Sequence, residues 1–257
     1  MFAGRSLVVL VVGALAGVGC ARRIAPLVQP TRSTVALTGG PNTSMVYLAR
    51  AGDGVIAIDL GWWGSRGAVS EALRELGATP AQVTDVFLTH SHRDHVGAWR
   101  LMRRSRFHVS ESERLLLFGD REFRGWIPRL AERVKSSGSP GPNDVAVHAF
   151  GADTMFVFGL DTLRAFVVPG HTAGSAVYLF RGVLFLGDAA TYTRWGGYGP
   201  ARRGYSDDAR AGAANLAGLW ARLPANGVSY VCTAHARCRA YSVGLASSLG
   251  ARAPSIR

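Results

Sequence analysis

Short apolar runs and stretches of helical spacing alternate along most of the chain. Residues 46–50 and 55–59 read as two strands of a hairpin joined through Ala51-Gly52-Asp53-Gly54, with glycines at the turn positions. Residues 66–77 place Ala68, Val69, Ala72, Leu73 and Leu76 on one helical face and stop at Gly77. The pattern then predicts a strand at 83–89, a helix at 95–104, a short strand at 107–109 and a helix from Ser110. The segment 136–144 (SSGSPGPND) reads as a loop. Strands follow at 145–150, 155–158, 163–168, 176–180 and 183–186, then a helix at 207–223, a strand at 228–232 and a last helix at 239–249. Strand-rich halves, each followed by helices, predict an α/β fold. Two mixed sheets would pack face to face with helices outside, an αββα sandwich.

The amino terminus follows a different pattern. Arg5 is the one charge in residues 1–6, and residues 7–19 carry none. Thirteen residues fall short of the roughly 20 needed to span a bilayer but suit the apolar region of a secretory signal. Ala16-Gly17-Val18-Gly19-Cys20 resembles a bacterial lipoprotein signal, although Gly17 stands where a larger aliphatic residue is usual. An ordinary cleaved signal or a short uncleaved anchor remain the alternatives. Residues 1–20 are therefore expected to be a signal peptide, residues 21–33 a polar tether with two prolines, and residues 34–257 one domain. The expected address is exported, either periplasmic or lipid-anchored at Cys20, with that anchor as the sole membrane contact.

Composition narrows the class. With 48% hydrophobic and 18% charged residues, the 257-residue chain is neither disordered, collagen-like nor a coiled coil. Three Cys exclude a disulfide scaffold. Cys232 and Cys238 flank His235, as a disulfide in an oxidising compartment or as two small buried hydrophobes. The net charge of +12 comes almost wholly from scattered arginines, since Lys135 is the only lysine. Such charge bears on non-specific contacts, and no specific nucleic-acid partner is expected.

Candidate chemistry concentrates in Thr89-His90-Ser91-His92-Arg93-Asp94-His95. Three His and an Asp in six residues are hard to explain by packing, because each needs polar partners if buried. Residues two apart in an extended stretch share a side, so His90 and His92 can grip one ion, while Asp94 and His95 open a helix and can face a second. Asp59, His171, Asp188 and His235 each lie just past the carboxyl end of an apolar run, so one rim of the sandwich would collect them all. His108 and His148 fall outside this pattern and read as surface or packing residues.

His-x-His-x-Asp-His at 90–95, Pro169-Gly170-His171-Thr172, Gly187-Asp188 and a late His235 together resemble the metallo-β-lactamase superfamily. The resemblance covers residues 34 to the carboxyl terminus. It implies one divalent ion on His90, His92 and His171, a second on Asp94, His95 and His235, and Asp188 bridging them. Asp59 would orient a ligand His rather than bind metal. Zinc suits imidazole and carboxylate donors, with iron or manganese as alternatives.

The resemblance implies hydrolysis of an activated carbonyl in a small-molecule substrate by a metal-activated hydroxide. Asp94 could also pass a proton to the leaving atom. An Asp at 188, where classical β-lactamases of this superfamily carry Cys or Ser, favours ester, thioester and lactone substrates. The phrase Pro-Gly-His-Thr-Ala-Gly-Ser and the export signal point to β-lactams as the alternative. A non-catalytic metal- or ligand-binding module is the reading from another class. Substrate selection is expected in two irregular segments, 121–144 and 191–205. In the second, Tyr192 could donate a hydrogen bond to the substrate carbonyl, or its aromatic neighbours could simply pin a long loop.

Overall fold

Strand β3 (Val46–Ala51) and strand β4 (Gly54–Ile58) form the hairpin the sequence predicts, antiparallel from Tyr47 opposite Ile58 to Ala51 opposite Gly54. The coordinates are a computed structural model that describes residues 44–133, 138–192, 197–242 and 244, together with β1 (Arg22–Arg23) and β2 (Val35–Thr38). The expected signal peptide lies outside the described residues. Arg22–Arg23, within the expected tether, instead pairs as an edge strand with β2.

The amino-terminal sheet runs in chain order, β1-β2-β3-β4-β5-β6-β7, with β5 (Val83–Phe87), β6 (Arg106–Ser110) and β7 (Ala146–Phe150). Pairing is antiparallel up to β4 and parallel from β4 to β7. Parallel neighbours need crossover connections, and helices supply them. These are α1 (Arg66–Glu75), α2 (Arg93–Val96), α3 (Glu111–Phe118) and α4 (Trp126–Arg133).

The second sheet contains β8 (Thr154–Phe158), β9 (Asp161–Val167), β10 (Ala176–Phe180), β11 (Val183–Phe185), β14 (Tyr230–Cys232) and β15 (Arg239–Ala240), in spatial order β15-β14-β11-β10-β9-β8. Between β11 and β14 the chain makes a small hairpin of β12 (Ala190–Tyr192) and β13 (Tyr198–Pro200), then helix α5 (Ala209–Leu219).

Three apolar clusters define four layers. Val46, Leu48, Val55, Val86, Val69 and Leu73 lie between the first sheet and its helices. Tyr47, Ile56, Phe87, Leu163, Tyr178 and Phe185 fill the space between the sheets. Phe166, Val177, Leu184 and Val231 meet Leu216 and Leu219 of α5. Successive residues of a strand point to opposite faces, and both faces here are covered, so β4 and β10 are buried throughout. This is the expected αββα sandwich.

Several elements differ from expectation. The helix expected at 95–104 breaks into α2 and a 3-10 turn at Trp99–Met102. Gly97 explains the break: a Cβ there would come within 2.2 Å of Trp63 N, and Gly97 N donates to Gly61 O (2.7 Å). The expected irregular segments contain α4 and the β12–β13 hairpin. The helix expected at 239–249 begins instead as strand β15, because the Cys232–Cys238 disulfide turns the chain back against β14. Most of 241–249 lies outside the described residues.

Candidate metal centre

Strand β5 ends where the chemistry begins. Asp59, just past β4, holds a left-handed backbone (φ +56°), which costs a non-glycine residue on the order of 1–3 kcal/mol. Its carboxylate offsets that strain. It accepts hydrogen bonds from Thr89 N (2.8 Å) and Thr89 Oγ1 (2.8 Å), and meets His95 Nδ1 at 2.8 Å. Bonds to a charged group contribute about 1.5–3 kcal/mol each, so the three together outweigh the strain.

His171 comes from the opposite sheet, in the turn between β9 and β10. Gly170 (φ +143°) has no space for a Cβ, which would approach Gly212 Cα to 2.1 Å. Helix α5 therefore lies directly on this turn, and Asp207 N and Asp208 N donate to His171 O (2.9 Å) and Gly170 O (2.8 Å).

These constraints bring His90, His92 and His171 together, all buried. His90 Nε2 lies 3.0 Å from His92 Nδ1, and His171 Nε2 lies 3.1 Å from each of those atoms. Protons cannot satisfy three mutual contacts, because each N–H points at one acceptor. Burial, reinforced by neighbouring imidazoles, holds His90 and His92 well below the ordinary histidine range. Burial also lowers His171, against the pull of Asp188. The rings are neutral and lend lone pairs. Zinc–nitrogen bonds of 2.0–2.1 Å place tetrahedral ligands about 3.3 Å apart, close to this spacing.

Asp94, His95 and His235 form a second group. Asp94 Oδ2 lies 3.5 Å from His235 Nε2 and 3.8 Å from His95 Nε2. Asp188 Oδ2 stands between the groups, 3.2 Å from His235 Nε2, 3.9 Å from His95 Nε2 and 3.7 Å from His171 Nε2. Burial alone would lower His95, but Asp59, Asp94 and Asp188 push it up to about 10. Burial would also lower His235, but Asp188, helped by Asp94, raises it to about 9. Despite burial, these histidines hold the Asp188 carboxyl far below the usual carboxylate range. His95 Nε2 and Asp188 Oδ1 are buried without a hydrogen-bond partner among the described residues. Donor atoms left unpaired beside the second group, and three imidazole nitrogens converging in the first, are what a cation would complete, so the donor sets fit divalent metal.

Tyr192 does not join this cluster. Its ring packs 5.2 Å from Tyr198, with Arg239 stacked 4.0 Å above it. His108 is buried, stacked on Phe87 and 2.6 Å from Asp85, while exposed His148 lies 3.3 Å away. Two carboxylates at the site carry no motif of their own. Asp207 accepts from Arg124 N, Gly125 N and Ala173 N, tying the segment before α4 to the His171 turn. Glu113 bonds both His-bearing segments. Its only sequence signal, Ser110-x-x-Glu113, reads as a helix start.

The family model of the metallo-beta-lactamase superfamily matches residues 39–235. This chain belongs to the metallo-β-lactamase superfamily. It is 32% identical over 151 residues to the uncharacterized protein YobT of Bacillus subtilis, covering 56% of this chain and 60% of that one. It is 31% identical over 122 residues to a hydroxyacylglutathione hydrolase of Gloeobacter violaceus, covering 47% of this chain and 38% of the relative. The match thus spans less than two thirds of these relatives. Among solved structures, a B3 metallo-β-lactamase with an active-site glutamic acid superimposes with a TM-score of 0.63 at 16% identity, over 84% of this chain and 83% of that one. A metallo-β-lactamase family protein from Thermus thermophilus gives 0.59 at 20% identity, over 89% and 76%. At these identities the structures establish the metallo-β-lactamase fold. Family and assembled His/Asp groups together support a metal-dependent hydrolase.

Proposed function

We propose that this protein is an exported dinuclear metallohydrolase that cleaves an ester, thioester or lactone. One observation carries the dinuclear reading: Asp188 Oδ2 lies within 4 Å of nitrogens from both histidine groups. His90, His92 and His171 would hold one ion, Asp94, His95 and His235 the other, with Asp188 shared. Divalent ions there, zinc above all for this donor set, would supply Lewis acidity and make water acidic enough to attack near neutral pH.

The chain's own groups do the rest. Asp59 accepts a hydrogen bond from His95 Nδ1–H, which would keep that proton on Nδ1 and offer the Nε2 lone pair to an ion. Asp94, partly exposed and 3.8 Å from His95 Nε2, would pass a proton to the leaving atom. Tyr192 packs against Tyr198 and Arg239 outside the cluster; only its place four residues beyond Asp188 supports a hydrogen bond to the substrate carbonyl, and the mechanism proposed does not use it. A hydroxyacylglutathione is a thioester, so the similarity to its hydrolase favours the acyl-transfer branch. Export rests on the apolar segment before Cys20 and is supported by the Cys232–Cys238 disulfide, a bond typical of oxidising compartments.

The test is turnover by zinc-loaded residues 21–257 on aryl esters, thioesters, acyl-homoserine lactones and a chromogenic cephalosporin, with His92→Ala as the blank. Lactone or thioester turnover with an inert cephalosporin supports the proposal. Cephalosporin turnover well above the blank replaces it with a β-lactamase. Silence with two ions bound removes the acyl-transfer reading.

A further inference from the structure

Helix α3 opens beside the first histidine group, and its first turn carries a fully buried carboxylate, Glu113. Glu113 Oε1 accepts from Ser91 N (2.6 Å) and Ser91 Oγ (2.5 Å), and Oε2 accepts from Thr172 Oγ1 (2.5 Å). Ser91 is the residue between His90 and His92, and Thr172 follows His171. A single side chain thus holds both segments that supply this group, one from each sheet.

The sequence pattern Ser110-x-x-Glu113 would ordinarily form a capping box, with the Glu reaching back to the backbone N–H of the Ser. Only half of the box forms. Ser110 Oγ accepts from Glu113 N (3.2 Å), while the carboxylate leaves its own helix for Ser91 and Thr172. Burying a carboxylate is unfavourable unless hydrogen bonds compensate, and a packing position is better served by an apolar residue. A carboxyl group retained here, with its bonds directed at the two ligand-bearing turns, needs a reason beyond packing.

We propose that Glu113 is the positioning residue of the first metal group, setting the His90–His92 turn against the His171 turn. Its carboxylate bonds Ser91 and Thr172 rather than a ligand histidine, and it acts through them. Three nitrogens held at 3.0–3.1 Å require the two turns to be registered within about 0.5 Å. This assignment rests on the metallohydrolase reading.

The experiment is a zinc titration against a competing chelator, on wild type and on Glu113→Ala, Glu113→Gln and Thr172→Val. Repeating it in a His235→Ala background breaks the second group, so that the surviving ion reports the first. Losing an outer partner of a metal ligand typically weakens binding 10- to 100-fold. Glu113 stands one residue further out, so Glu113→Ala is expected to weaken the first ion about tenfold, the low end of that range, and leave the second within about twofold. Glu113→Gln should recover part of the loss, because its amide oxygen still accepts from Ser91. If Glu113→Ala does not fold, Thr172→Val removes one arm without a cavity and should weaken the first ion several-fold. Wild-type affinity for both ions in these variants overturns the assignment alone. A wild-type protein that takes up no ion overturns the metal reading and this assignment with it.

Discussion

Asp59 Oδ2 lies 2.8 Å from His95 Nδ1, and the same carboxylate also takes both the backbone and the side-chain donor of Thr89. One residue past the end of β4 therefore fixes the ring of His95 and the exit of β5. Asp59→Asn presents an amide N–H to His95 Nδ1 and drives its proton to Nε2, the atom that faces Asp94 and Asp188. Zinc affinity at the second group should fall about 10- to 100-fold, read by metal titration. An unchanged second affinity would assign Asp59 to folding only.

On the dinuclear proposal, acid should release the ions in order. Free of metal, His95 and His235 keep protons up to about 10 and about 9, so binding at the second group must displace them. The first group holds histidines lowered by burial, already neutral at pH 7. As pH falls from 8 to 6, second-ion affinity should decline by about two protons' worth while first-ion affinity stays nearly flat. Zinc titration at several pH values checks this, and parallel slopes would refute it.

Reduction should act on the same side of the site. The Cys232–Cys238 disulfide closes the loop carrying His235. Cys238→Ser should lower stability by about 2 kcal/mol from loop entropy and weaken the second ion, leaving the first in place. Chemical denaturation and metal counting, with and without reductant, report both effects.

The fold depends on the layer between the sheets. Phe87 packs against His108, Phe156, Phe158 and Tyr178 at ring distances of 4.5–6.1 Å. Phe87→Ala should cost about 3–5 kcal/mol, measured by urea unfolding. A loss below about 1 kcal/mol would place the sheet interface elsewhere.

The residue order alone determined the layers and the donor list. Apolar runs dictate which segments bury, and polar residues just past their carboxyl ends are expected on one rim wherever those strands run parallel, as β4 with β5 and β11 with β14 do. Asp59, His90, His171, Asp188 and His235 are legible as candidates on that ground, and His92, Asp94 and His95 by their spacing from His90. Tertiary structure decided what local pattern cannot carry. Gly97 breaks a helix because another backbone passes it at van der Waals limit, and the disulfide folds 239–240 into a strand where periodicity favoured a helix. Glu113 and Asp207 look like helix-start residues until the packing of α3 and α5 turns their carboxylates onto the His-bearing turns. The candidate ligands are written in residue type and spacing. Ligand geometry comes from contacts between segments distant in the chain, and those exist only once the sheets are packed.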